Sequence, residues 1–187
     1  MAEASPAGAH DTTRRDFIFI ATGAVAAVGA AATIWPFVDQ MNPAADTRAL
    51  STTEVDLTAV DVGQQIKVMW QGKPVFVRHR NPTEIASAQR DDFANLKDPQ
   101  FDADRLKQKD GSAGKAEWLI LQANCTHLGC IPLPPDNPGF AGHFGGWFCP
   151  CHGSDYDTSG RIRQGPAPKN LFVAPYTYLT DTSIRIG

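Results

Sequence analysis

Apolar positions follow two different patterns along this chain. Residues 17–38 form an unbroken run of 22 residues without a charge. As a helix rising 1.5 Å per residue, that run spans roughly 33 Å, about the thickness of a bilayer core. From Ser51 onward the apolar stretches become short and often alternate, which is the pattern of strands. Strands are expected at 53–57, at Gln65–Trp70 and at 74–80, the last two joined by a hairpin turn at Gln71-Gly72-Lys73. Others are expected at 117–122, near 161–163, at Phe172-Val173, at 176–179 and at Ser183–Ile186. Asn81-Pro82-Thr83-Glu84 has the form of a helix start, with Asn81 as N-cap and Pro82 in the first position, and that helix should reach about Asp92. Residues 93–115 are polar and rich in Gly, Asp and Lys. They are expected to form an irregular surface insertion, with Asp102, Asp104 and nearby lysines on a solvated face. Trp118 and Trp147 are expected in the core, and His79 and His143 in loops or on the surface.

Paired arginines, Arg14-Arg15, stand directly before the apolar run, as in a twin-arginine export leader. Ala44-Ala45 offers a weak cleavage signal, so the run is expected to stay as a single membrane anchor. Cations on the amino side keep that end cytoplasmic, so the rest of the chain should be periplasmic, held at the bacterial inner membrane. Pro43 argues against continuing the helix far beyond Asp39. The expected division is a leader at 1–16, an anchor at 17–38, a tether at 39–50 and a head at 51–187. With 16 Gly, 14 Pro and a net charge of −3, the head has the turn-rich make-up of an all-β domain. His10 belongs to the polar leader, and no basic stretch suggests a nucleic-acid partner.

All four cysteines fall in one short window, at 125, 130, 149 and 151, with His127 and His152 among them. Two disulfides, a zinc site or an iron–sulfur site are each compatible with this cluster. Structural zinc takes four ligands, which leaves two of the six residues over. Two disulfides would leave both histidines idle. A mixed arrangement, with two Cys and two His as ligands and the other two Cys joined, uses all six. The spacing does not choose among these partitions.

The segments Cys-Thr-His-Leu-Gly-Cys at 125–130 and Cys-Pro-Cys-His-Gly-Ser at 149–154 resemble the two boxes of the Rieske family. Gly-Gly-Trp-Phe-Cys-Pro-Cys-His-Gly at 145–153 is similar to the quinol–cytochrome c reductase branch, in its alphaproteobacterial form. The resemblance implies an all-β Rieske head, with a helix-loop insertion, on one transmembrane helix. It implies a 2Fe-2S cluster held by Cys125, His127, Cys149 and His152, with its binding part at about 123–168, and a disulfide between Cys130 and Cys151. It further implies that Ser154 and Tyr156 donate hydrogen bonds to the cluster and its Cys125 sulfur, and that Leu128 and Gly129 form the docking tip. Gly165, Pro166, Ala167 and Pro168 correspond to a shielding proline loop. His152 would contact quinol and accept its proton, with His127 beside it. The position after Ser154 is often His in close relatives; here it is Asp155, expected to be a surface change clear of the cluster.

Charge counting supports this ligand set. Two ferric ions and two sulfides with four thiolates make a dianion, whereas two thiolates and two neutral imidazoles make a neutral site, which takes an electron more readily. For Rieske centres as a class the potential lies at about −150 to +300 mV, against about −400 mV for plant-type clusters. The function implied is electron transfer from ubiquinol to a cytochrome c-type haem, inside a membrane complex with cytochrome b and cytochrome c-type subunits, expected to be dimeric. A Rieske subunit of another exported oxidoreductase, such as an arsenite oxidase, is the second reading. A zinc-bound or disulfide-stapled domain is the third.

Overall fold

The computed structural model describes residues 13–44, 47, 51–137 and 142–187. Two compact units divide the chain, 1–48 and 49–187. In the first, helix α1 covers Arg14–Asp39. Its start is fixed by a capping box: Asp16 N–H donates to Thr13 Oγ1 at 3.3 Å, and Thr13 N–H donates to Asp16 Oδ2 at 2.9 Å. Phe17, Phe19, Ile34, Trp35 and Phe37 are all exposed. A helix apolar on every side has no face to present to water, so its length and composition suit a bilayer. The helix contains the expected 17–38 run. Of the expected tether, residues 45, 46 and 48–50 lie outside the described residues, as does His10.

The head is built from three three-stranded antiparallel sheets. Strands β1 (Thr53–Asp56), β8 (Tyr176–Thr180) and β9 (Ser183–Ile186) form one sheet in the order β1-β9-β8. Strands β2 (Gln65–Trp70), β3 (Lys73–His79) and β4 (Trp118–Gln122) form the second in chain order. Strands β5 (Gly145–Cys149), β6 (Ser154–Asp157) and β7 (Ile162–Gln164) form the third. Gln71 and Gly72, both with positive φ, make the two-residue turn between β2 and β3, the geometry whose twist matches a hairpin. Strand β4 belongs to both cores. Ile120 packs with Val75, Val77, Ile184 and Ile186 on one side. Leu119 and Leu121 pack with Trp147, Tyr156, Ile162 and Leu171 on the other. A strand buried on both faces reads as a continuous apolar run, as Trp-Leu-Ile-Leu does here. Trp118 and Trp147 are both buried.

Several expectations need correction. The Asn81-capped helix, α2, ends at Arg90 and a short 3-10 turn follows at Asp91–Phe93. Phe172-Val173 is not a strand; Val173 makes only an isolated bridge to Leu121. The 93–115 segment is no mere surface insertion. It carries a short helix, α3 (Asp102–Arg105), and Leu106 enters the core. Asp102 is 2% exposed rather than on a solvated face. It accepts from the two terminal guanidinium nitrogens of Arg80, at 2.7 and 3.2 Å, and from the Ser159 hydroxyl. Arg161, also fully buried, is held by Asp157 and Asp92. Burial lowers its pKa, but those two carboxylates outweigh that, and the net shift is upward. Arg105 has carbonyl partners at Ser159, Gly160 and Leu171. Burial pulls it down to about 10 despite the nearby Asp157. Charged side chains removed from water must be paired or hydrogen-bonded in this way. Much of that pairing comes from partners far away in the chain, and it ties the 93–115 segment firmly to the β5–β7 sheet.

Candidate metal centre

Two loops of the same design carry the six Cys and His residues. In each, the glycine four places after the first cysteine donates its N–H back to that cysteine's carbonyl: Gly129 to Cys125 at 2.8 Å, Gly153 to Cys149 at 3.0 Å. Both glycines have positive φ, +84° and +76°, and a Cβ at Gly153 would meet nothing within 4 Å. Their role is therefore backbone conformation rather than space. The first loop leaves the end of β4 and is closed by Cys125 N–H donating to the Cys130 carbonyl at 2.7 Å. The second joins β5 to β6, with Cys149 and Ser154 as cross-strand partners.

The loops are joined by a disulfide between Cys130 and Cys151, 21 positions apart. Cys125 and Cys149 remain reduced and buried. The His127 and His152 rings meet edge to face with centroids 4.7 Å apart; His152 is exposed and His127 half-buried. The sulfurs of Cys130, Cys149 and Cys151 all lie within 4.8 Å of one another. Two of those three are spent in the disulfide, so the donors left for a metal group are two thiols and two imidazoles. That donor set fits a mixed Cys/His iron–sulfur cluster, and it has one member of each kind from each loop.

The sulfurs sit in different electrostatic settings. At Cys125 burial pushes the thiol up, but hydrogen bonds from Tyr156, the His127 backbone N–H, Cys149 and Ser154 outweigh it, and the net direction is down. At Cys149 burial again pushes up, and the backbone N–H groups of Cys151 and His152 offset only part of that. The Tyr156 hydroxyl lies 3.2 Å from Cys125 Sγ in a fully buried position. Burial first, and that sulfur second, push the phenol well above its ordinary value.

Ser154 Oγ accepts from the Ala167 N–H at 3.1 Å. A hydroxyl whose lone pair is engaged still has its proton to give. The same bond ties residues 165–168 to the second loop. A Cβ on Gly165 would strike the Gly153 carbonyl, so this stretch packs directly on that loop. Leu128 at the tip is 71% exposed and Gly129 is exposed beside it.

Asp155 is buried rather than a surface residue, and it accepts from His143 N–H at 2.8 Å and pairs with His143 Nδ1 at 2.9 Å. His79 stacks on Trp118 and bonds the Val60 carbonyl. The sequence reading missed Thr126, whose hydroxyl donates to the Lys169 carbonyl at 2.6 Å and so ties the first loop to the chain just past residue 168. Only its place inside the first box could have signalled that.

Comparison with known proteins agrees with this geometry. The Rieske [2Fe-2S] domain family matches residues 102–177, and the family described as "Ubiquitinol-cytochrome C reductase Fe-S subunit TAT signal" matches residues 4–44. The ubiquinol-cytochrome c reductase iron-sulfur subunit of Rhodospirillum rubrum is 54% identical over 192 residues, covering 100% of both chains. Its counterpart in Blastochloris viridis is 53% identical, covering 95% of this chain and 94% of that one. A chain of the hyperthermophilic respiratory Complex III superposes with a TM-score of 0.52 at 26% identity, covering 89% of this chain and 98% of its own length. With two reduced thiols, two adjoining imidazoles and a clipping disulfide in matched loops, this chain belongs to the family of Rieske iron–sulfur subunits of ubiquinol–cytochrome c reductase.

Proposed function

We propose that Cys125, His127, Cys149 and His152 hold one 2Fe-2S cluster, and that the chain carries electrons from ubiquinol to a cytochrome c-type haem. The observation that carries this reading is the sorting of six residues: Cys125 and Cys149 stay reduced and buried, His127 and His152 converge, and Cys130 and Cys151 are joined. When bound, the cluster supplies a one-electron acceptor of raised potential, because two of its ligands are neutral imidazoles.

The protein's own groups supply the rest. His152, exposed at the tip, offers its outer ring nitrogen to the quinol hydroxyl as hydrogen-bond acceptor and then as proton acceptor. His127, half-buried, flanks it. Leu128 and Gly129 give the tip an apolar edge for docking. Ser154 and Tyr156 direct their hydroxyl protons inward, which favours added negative charge on the sulfurs. Residues 165–168 exclude water from the second loop.

Helix α1 anchors the chain in the inner membrane, with Arg14 and Arg15 on the cytoplasmic side and the head in the periplasm. The 39–50 tether lets the head visit a quinol site on a cytochrome b subunit and a haem on a cytochrome c-type subunit of the same dimeric complex. The match of the leader to the ubiquinol–cytochrome c reductase type favours this over an arsenite oxidase. The test is low-temperature EPR on ascorbate-reduced protein purified with its membrane partners. A rhombic signal with average g below the free-electron value is expected. Its absence, with zinc or no metal in the intact protein, would overturn the proposal.

A further inference from the structure

Besides its bonds to Arg80 and the β6–β7 turn, the 93–115 segment makes polar contacts with the stretch that begins at the proline loop. At the loop's start, Lys97 Nζ donates to the Gly165 carbonyl. At its end, Asp98 grips Asn170 twice: Asn170 N–H donates to Asp98 Oδ2 at 3.0 Å, and Asn170 Nδ2 donates to the Asp98 carbonyl at 2.9 Å. Asn170 is 3% exposed and uses its remaining acceptor, Oδ1, for the Ile162 N–H of β7 at 2.9 Å. One residue further, the Leu171 carbonyl accepts from Arg105 Nη2 at 2.6 Å, and Leu171 N–H donates to the Gly160 carbonyl at 2.9 Å. Between these two ends the loop touches the site itself, through Ala167 N–H on Ser154 Oγ and Lys169 on Thr126.

We infer that residues 97–105 act as a brace that holds the proline loop closed over the metal centre, with Asp98 and Asn170 as its positioning residues. A four-residue stretch with two prolines and a glycine of positive φ has no ladder of its own to keep it in place. Its position depends on what grips it, and besides Ser154, Thr126 and the β7 backbone the 93–115 segment supplies a grip at each end. Loosening the Asp98–Asn170 grip lets the loop lift without unfolding either core. Water and small chelators then reach Cys149 and Ser154 from that side. This inference rests on the cluster reading given above.

The test compares three variants of the full chain purified with its partners. Asp98→Ala removes the carboxylate acceptor of Asn170 N–H. Asp98→Asn restores an acceptor oxygen there. Ile184→Val trims a fully buried side chain in the β1-β9-β8 sheet, in the core cluster that does not include Leu106 or Leu171, and lowers global stability by a comparable amount. Two quantities are read: the first-order loss of the cluster's visible absorption under excess chelator, and hydrogen exchange at the Ala167 and Asn170 amides. For Asp98→Ala both should rise about tenfold, which corresponds to about 1.4 kcal/mol of local opening. Asp98→Asn should fall back toward wild type, and Ile184→Val should leave both close to wild type. Equal acceleration by Ile184→Val would mean release by global unfolding, and would overturn the brace. Unchanged exchange in Asp98→Ala, with the cluster present, would overturn it as well. A wild-type protein without any cluster would instead overturn the site reading beneath it.

Discussion

Tyr156→Phe isolates one hydrogen bond at the metal centre. Tyr156 is fully buried in β6, and its hydroxyl lies 3.2 Å from Cys125 Sγ. Phenylalanine keeps the ring and the packing, so no cavity opens and only the hydroxyl is lost. A hydrogen bond to a charged acceptor contributes about 1.5–3 kcal/mol, and one to a neutral acceptor about 0.5–1.5 kcal/mol. The sulfur is more negative after reduction than before, so roughly 1 kcal/mol of the bond should be specific to the reduced state. At about 59 mV per tenfold change for one electron, the midpoint should fall by roughly 45 mV. A redox titration followed by circular dichroism reads this directly. A midpoint within about 10 mV of wild type, well inside that shift, would refute the assignment of Tyr156 as a donor. A second check needs no cluster. The Tyr156 bond is one of those holding the Cys125 thiol below its ordinary range against burial. Its loss should raise that pKa and slow alkylation of Cys125 in metal-free protein near neutral pH.

Three further outcomes follow from the same geometry. Asp102→Ala leaves the Arg80 guanidinium, whose side chain is 0% exposed, with the Ala116 carbonyl but without its carboxylate partner, and should cost roughly 3–5 kcal/mol in chemical denaturation of the head. Asp102→Asn, which keeps an acceptor, should cost less, and equal losses would show that charge rather than hydrogen bonding dominates. Cys151→Ser opens a cross-link spanning 21 positions, worth about 3 kcal/mol by chain entropy, and the cluster's visible absorption should fade faster on storage; a variant as stable as wild type would argue against the clip. Prolines at Ala44 and Ala45 should slow quinol oxidation by the complex while leaving the EPR signal unchanged, and undiminished turnover would count against movement of the head.

The sequence was most legible where short-range physics decides. The β2–β3 hairpin, the Asn81 cap and the apolar β4 run each carry local signals, and each lies where those signals put it. The six Cys and His residues were conspicuous by type and spacing. What escaped notice was polar and long-range. β5 and β6 read as ligand boxes rather than strands, because their residues are mostly glycine, cysteine and polar. Asp102 and Asp155 looked like surface residues, since a buried carboxylate is recognised only by its partners. Those partners are Arg80 and Ser159 for the first and His143 for the second. No periodicity announces an aspartate and an arginine that meet from 22 positions apart. The 93–115 segment was misjudged for the same reason, as its polar composition serves internal pairing rather than solvation.

The closeness of Cys149 to the Cys130–Cys151 disulfide has a bearing on assembly. A thiolate within 4.8 Å of a disulfide's sulfurs is placed to attack it and exchange partners. Burial, which keeps the Cys149 thiol protonated, slows that attack, because only the thiolate is a nucleophile. Cys125, whose thiol is shifted the other way, has less of this protection. On the proposed ligand set, sulfur pairing in this domain is therefore secure in one order of events, with Cys125 and Cys149 engaged first and the clip closed afterwards. In the opposite order four cysteines compete for two bonds, and three pairings are open to them. On that reading, the spacing of three sulfur atoms sets when the chain should meet an oxidant.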